Sequence, residues 1–168
     1  LSFTSQMLGM VALPFMFHCT FGMSAAETGL LMTAWPLVIV VAGPLAGTLA
    51  TKIHPGLLGG VGLLVMSVGC FLLADVSPSV GYGGLVARLM LCGFGFGLFQ
   101  SPNNHLLLSS APSYRTGGAS GMQATARLVG QTTGAALVAL LFYLNGDRAP
   151  HAAMWLAGGF TLCGSLVS

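Results

Sequence analysis

Acidic side chains are almost missing from this sequence: Glu27, Asp75 and Asp147 are the three among 168 residues. Charge of either sign is scarce, with 5% Asp, Glu, Lys and Arg against 55% hydrophobic residues. A soluble domain of this size needs a surface far richer in charge, so a water-soluble globular fold is excluded. Five Lys/Arg leave a formal net charge of only +2, too little for a nucleic-acid surface. Cysteine pairs at ligand spacing are missing as well. Cys19, Cys70, Cys92 and Cys163 stand singly among apolar segments and read as small hydrophobes, with neither disulfide nor zinc. No metal and no cofactor is expected. The chain opens on Leu1 and stops at Ser168 inside an apolar run, and we expect a piece of a longer polypeptide.

What remains is apolar sequence in six runs. They cover about 1–17, 25–50, 57–74, 84–108, 119–144 and 151–168, with short polar or Gly/Pro breaks between them. About 20 residues rising roughly 1.5 Å each cross a hydrocarbon core of about 30 Å. The expected fold is therefore all-α and polytopic, with six transmembrane helices. Ser24-Ala-Ala-Glu27 reads as a capping box opening the second span. Lys52 and Arg115 lie on one side, and Arg148, with Arg88 nearby, on the other. The positive-inside rule thus leans toward a cytoplasmic side for the 51–56 and 109–118 loops.

The fourth run, Leu85 to Leu108, is not plain lipid filler. It carries Arg88, glycines at 93, 95 and 97, and then Gln100-Ser-Pro-Asn103-Asn104. Glycines let neighbouring helices approach, whereas amides at membrane depth require a partner helix or a wet cavity. Pro102 removes one helix hydrogen bond and is expected to loosen the turn before it. On the fifth run Gln123, Arg127, Gly130/Gln131 and Gly134 recur at helical spacing, giving one small and polar face. An intramembrane Arg points to function unless it is a structural charge bonding carbonyls, and both readings stand for Arg127. Arg88 is expected to pair locally with Asp75 or to snorkel. Glu27 reads as a cap, with proton carriage a lesser option. His18, His54, His105 and His151 fall at span ends, as interfacial anchors.

Gly118-Ala-Ser120-Gly121 matches the GxSG of six-span intramembrane serine proteases, with His151 as the candidate base. Ser120 opens span five and His151 opens span six, so about 30 Å of bilayer would lie between groups that need about 3 Å. The protein is accordingly not read as an enzyme. A six-span channel would need a filter, and Ser101-Pro102-Asn103 occurs once rather than as a pair. A packing module inactive by itself is a further alternative.

Several of these runs carry a resemblance. Leu13-Pro14-Phe15, Gly22-Met-Ser-Ala-Ala-Glu-Thr-Gly29, Trp35-Pro36 and Gly43-Pro44-Leu-Ala-Gly47 resemble the start of a known transporter half. So do Arg88 through Asn104, Ser109-Ser-Ala-Pro112, and Ala126-Arg127-Leu-Val-Gly130-Gln131-Thr-Thr-Gly134. The pattern is similar to the C-terminal half of fourteen-span drug:proton antiporters of the major facilitator superfamily, nearest to exporters of methyl viologen and quaternary ammonium compounds. The resemblance implies two inverted three-helix repeats, with spans one, two, four and five at the solute path and three and six toward lipid.

It implies export of lipophilic cationic drugs across a bacterial cytoplasmic (inner) membrane, coupled to protons and requiring the missing N-terminal half. On that reading Trp35, Phe96 and Phe99 offer aromatic faces to a cation. Gln100, Asn103, Asn104, Gln123 and Gln131 add polar contacts, and Arg127, Arg88, Asp75 and Lys52 are structural or gating charges. Gly47-Thr-Leu-Ala-Thr51-Lys52 resembles the family's G-x-L-A-D-R loop motif. Thr51 takes the acidic position, which counts against a charge relay through that loop.

Overall fold

The computed structural model describes residues 1–77, 79–110, 112 and 116–168. Arg115, on which part of the orientation argument rests, lies outside the described residues. Each apolar run carries one α-helix: α1 Ser2–Phe21, α2 Ala25–Leu49, α3 Pro55–Ala74, α4 Tyr82–Ser109, α5 Thr116–Asn145 and α6 Ala149–Val167. A single 3-10 turn, Gly146–Arg148, joins α5 to α6. Four stretches are long and apolar enough to cross a membrane: α2, α3, α4 and the continuous 52 residues Thr116–Val167 that hold α5 and α6. Ser, Thr, Gln and His keep α1 below that threshold.

The helix ends follow local chemistry. Gly22 stops α1 in the left-handed region at φ 63°, where a side chain would be strained. Ser24 then starts α2 as expected: its hydroxyl accepts from the Glu27 amide, and Glu27 accepts from the Ser24 amide at 2.8 Å. His54 caps α3 ahead of Pro55, and Pro150 sits in the first turn of α6, where its missing N–H is harmless. The prolines inside helices break none of them. Pro14, Pro36, Pro44 and Pro102 all lie within continuous α-helix. Helix α4 continues through Pro102, whose ring lacks the N–H, and neighbouring helices pack against α4 on both sides.

Those neighbours meet α4 at its glycines. Gly93 and Gly97, one turn apart, face α2. A Cβ at Gly93 would strike the Trp35 carbonyl, and one at Gly97 would lie 2.7 Å from Ala42 Cβ. Gly95 points the other way, against Met66 and Gly62 of α3. Alternate glycines fall on opposite helix faces, so the 93/95/97 run lets α4 pack between two helices at backbone distance. Gly130 and Gly134 do the same for α5 on Phe3, Thr4 and Met7 of α1, while Gly158 of α6 receives the Phe71 ring of α3.

Directions follow from which ends meet. Tyr82 Oη donates to Glu27 Oε1 at 3.0 Å, so α2 and α4 start at one end. His151 Nδ1 lies 2.9 Å from the Ala74 carbonyl, bringing the start of α6 to the end of α3. Ser168 Oγ donates to the Gly56 carbonyl at the opposite end. The helices therefore alternate in direction along the chain. Glu27, Asp75 and Asp147 all fall at the end where α2, α4 and α6 start.

The core lies where α1, α3, α4 and α6 meet, around Leu8, Leu13, Phe17, Met66, Leu73, Leu89 and Met154, with Trp35 of α2 inserted. Packing pairs α1 with α5 and α6, α4 with α2 and α3, and α3 with α6. Helices α2 and α5 expose the most apolar surface, including Leu30, Val40, Val41, Leu128, Val129 and Tyr143.

Candidate functional site

Helix α5 collects the polar groups. Its 30 residues bury only Gly134 and Val138, because the glycine ridge is the one side pressed on α1. Toward the start of α5, beyond the reach of α1, the same side of the helix carries Ser120, Gln123, Ala124, Arg127, Leu128 and Gln131, which line a recess of about 430 Å³. From α4, Asn104 joins this group: Gln123 Nε2 donates to Asn104 Oδ1. Gln100 stands one turn before Asn104, and Gln100 and Asn103 are half-buried beside Pro102. Arg127 is exposed in the recess and, among the described residues, forms no hydrogen bond or ion pair.

The arrangement can hydrogen-bond a polar solute through five amides and offers one cation without a partner among the described residues. Each amide both donates and accepts, so the recess is not committed to one solute polarity. None of the three acids lies near it. Glu27 is exposed and engaged with Ser24 and Tyr82 at the start of α2.

The aromatic expectations divide. Trp35 is wholly buried and Phe96 is 1% exposed, both inside the bundle, so neither presents a ring at the polar recess. Phe96 packs edge-on to Phe3 with ring centres 6.2 Å apart, and the Trp35 ring edge lies against Gly9. Within this chain both rings fill the space between the helices and take no part in the α5 recess. Phe99 is half-buried and turned toward Gly59 of α3.

The charges expected to gate are spread out. Lys52 is exposed in the turn between α2 and α3. Arg88 and Asp75 share a separate recess on the α3/α6 side, and among the described residues no ion pair joins them. The candidate protease pair is pinned apart, Ser120 Oγ donating to the Gly117 carbonyl and His151 engaged with Ala74. The amides and the charge on α5 do not by themselves mark Ala124 and Leu128, nor Ser120 outside its GxSG motif, as members of the recess. The signal that finds them is the register, since positions 120, 124, 127/128 and 131 recur at the helical period.

Membrane-length apolar helices packed through glycine define a multi-pass membrane protein. The particular family follows from comparison: the Major Facilitator Superfamily model matches residues 1–168, and the chain belongs to that family of transporters. It is 49% identical over 99% of its length to the uncharacterized transporter YebQ of Escherichia coli, covering 36% of that protein. It is 32% identical over 82% of its length to the riboflavin transporter RibZ of Clostridioides difficile, covering 30% of it. With the multidrug efflux pump LfrA of Mycolicibacterium smegmatis the identity is 25% over 72% of the chain and 24% of the pump. The chain thus spans about a third or less of the length of these curated relatives.

Proposed function

We propose that this chain is the C-terminal six-helix half of a proton-coupled exporter of lipophilic cationic drugs in a bacterial cytoplasmic membrane. All six helices cross the bilayer as two inverted three-helix repeats, α1–α3 and α4–α6. The packing supports the repeat: α1 on α5 and α6 mirrors α4 on α2 and α3, with α3 against α6 at the axis. Glutamine and asparagine on α4 and α5, with Arg127, form this half's wall of a watery vestibule closed by the rest of the transporter.

One observation carries the reading. Arg127 is an exposed guanidinium on a membrane-length helix, and among the described residues no group pairs with it. A charge so placed costs several kcal/mol against lipid and is tolerated against water or a partner acid. Arg127 has the wrong sign to hold a cation, so it serves as a structural or gating charge, with its carboxylate partner on the missing half. The drug contacts amides instead: Gln100, Asn103 and Asn104 from α4, and Gln123 and Gln131 from α5. Proton coupling uses an acid outside these residues, because the three acids here sit at helix ends. Multidrug efflux by LfrA supports the substrate class.

A second reading has its own support. RibZ, a riboflavin transporter, is 32% identical, and a recess of amides plus a guanidinium also suits a neutral, hydrogen-bonding aromatic solute. The deciding assay loads everted vesicles carrying the full-length protein with either ethidium or riboflavin under an imposed proton gradient. Gradient-dependent ethidium uptake that falls roughly tenfold in Gln123→Ala, the loss of about one well-made hydrogen bond to a charged or desolvated group, supports the exporter. Riboflavin transport without ethidium transport replaces the substrate class, and ethidium flux unchanged by Gln123→Ala and Asn103→Ala at normal expression removes the amide wall from the path.

A further inference from the structure

The recess on the opposite flank of the bundle holds charges that the transport path does not use. It measures about 360 Å³ and is lined by Val68, Phe71, Leu72 and Asp75 of α3, Arg88 of α4 and Trp155 of α6. Arg88 Nη1 is sealed from solvent and has no hydrogen-bond partner. Asp75 is exposed in the same recess, and no ion pair joins the two among the described residues. A cation and an anion thus line one recess, and among the described residues neither side chain has a hydrogen-bond or ion-pair partner. Around them Val68, Leu72 and Trp155 are exposed apolar groups, and Trp155 stacks obliquely on Phe71 with ring centres 5.1 Å apart.

Depth matters as much as charge. Asp75 caps the end of α3, and Arg88 stands six residues, about 9 Å, into α4. Trp155 stands at the same depth in α6, so the recess straddles the level where tryptophan settles and lipid headgroups meet acyl chains.

We propose that this recess binds one phospholipid bearing a zwitterionic headgroup with a free amine, of the phosphatidylethanolamine class. The phosphate accepts hydrogen bonds from Arg88, the ammonium donates to Asp75, and an acyl chain lies along Val68, Leu72 and Trp155. The headgroup class follows from the pair. A net anionic lipid would satisfy Arg88 but face the Asp75 carboxylate, and a choline headgroup carries no N–H to donate. The proposal rests on α3 and α6 facing lipid and does not depend on which solute is exported.

The test reconstitutes the full-length transporter in nanodiscs of equal phosphatidylethanolamine, phosphatidylcholine and phosphatidylglycerol, and counts lipids retained on release by native mass spectrometry. Phosphatidylethanolamine is expected to be retained about tenfold over the other two, the worth of one charge-assisted hydrogen bond. Asp75→Asn, a change at an exposed cap, should shift retention toward phosphatidylglycerol. Arg88→Gln should abolish retention of all three above background, and Arg88→Lys should keep part of it. Equal retention of the three lipids by the unsubstituted protein, or a preference unchanged in Asp75→Asn, overturns the site. Ethidium export is read separately in vesicles. Export without headgroup preference removes this site alone, and headgroup preference without export leaves it standing while the exporter reading falls.

Discussion

The side chains of Gln123 and Asn104 are hydrogen-bonded to each other across the gap between α5 and α4, at the end where one helix stops and the next begins. Little else joins these two helices, so the bond locates one wall of the polar face relative to the other. An amide pair of this kind at membrane depth is worth about 0.6–1.7 kcal/mol. Asn104→Ala should therefore lower thermal stability by no more than a few degrees while weakening flux. A large fall in melting temperature with flux intact would make the pair a structural clasp.

Trp35 belongs to the core, and its substitution should read as a packing change. Trp35→Ala removes a wholly buried indole between α1, α2 and α4 and should destabilise by about 3–5 kcal/mol. Detergent-solubilised protein would lose folded yield and melting temperature. A variant with normal stability but altered drug selectivity would return Trp35 to the solute path.

The glycines of α4 give a sharper steric test. Gly95→Val would drive side-chain atoms into the backbone of Met66 and Gly62, and Gly93→Val into the Trp35 carbonyl, with no flexible side chain able to yield. Each should cost upward of about 3 kcal/mol, at the high end for overpacking. Gly83→Val, near the start of the same helix with open space around it, is the control and should change little. Equal stability of all three variants in a thermal shift assay would contradict the close packing of α4.

Cysteine labelling reads the orientation. Cys70 and Cys92 are buried between α3 and α4, whereas Cys19 is exposed in the last turn of α1. If the end shared by Glu27, Asp75 and Asp147 faces outward, a membrane-impermeant maleimide added to intact cells should modify Cys19 and spare Cys70 and Cys92. Labelling of Cys19 only after the cells are opened would reverse the topology.

Ser67 offers a modest stability test inside the α3/α6 contact. Its hydroxyl donates to the Gly158 carbonyl at 2.8 Å in a buried position. Ser67→Ala should cost about 0.5–1.5 kcal/mol without touching transport. A loss of flux at unchanged stability would mean that α3 and α6 move against each other during the cycle.

Much of this protein can be read from residue order alone, because membrane embedding simplifies the problem. A helix in lipid must satisfy its backbone within itself, so length and apolarity suffice to mark α2, α3, α4 and the Thr116–Val167 stretch, and Ser24 with Glu27 marks a start by purely local bonding. The α5 stripe through Gln123, Arg127 and Gln131 is likewise a matter of helical period. Only tertiary structure decided which faces meet what. Trp35 and Phe96 look alike to composition whether they line a path or fill a core, and packing against Gly9 for Trp35 and against Phe3 and Phe99 for Phe96 put both inside. Arg88 and Asp75 are near enough in sequence to suggest a pair, yet the direction each side chain takes left both unpaired in one recess. Periodicity assigns a residue to a face, but what lies against that face depends on contacts between distant helices, and those depend on the shape of every neighbour at once.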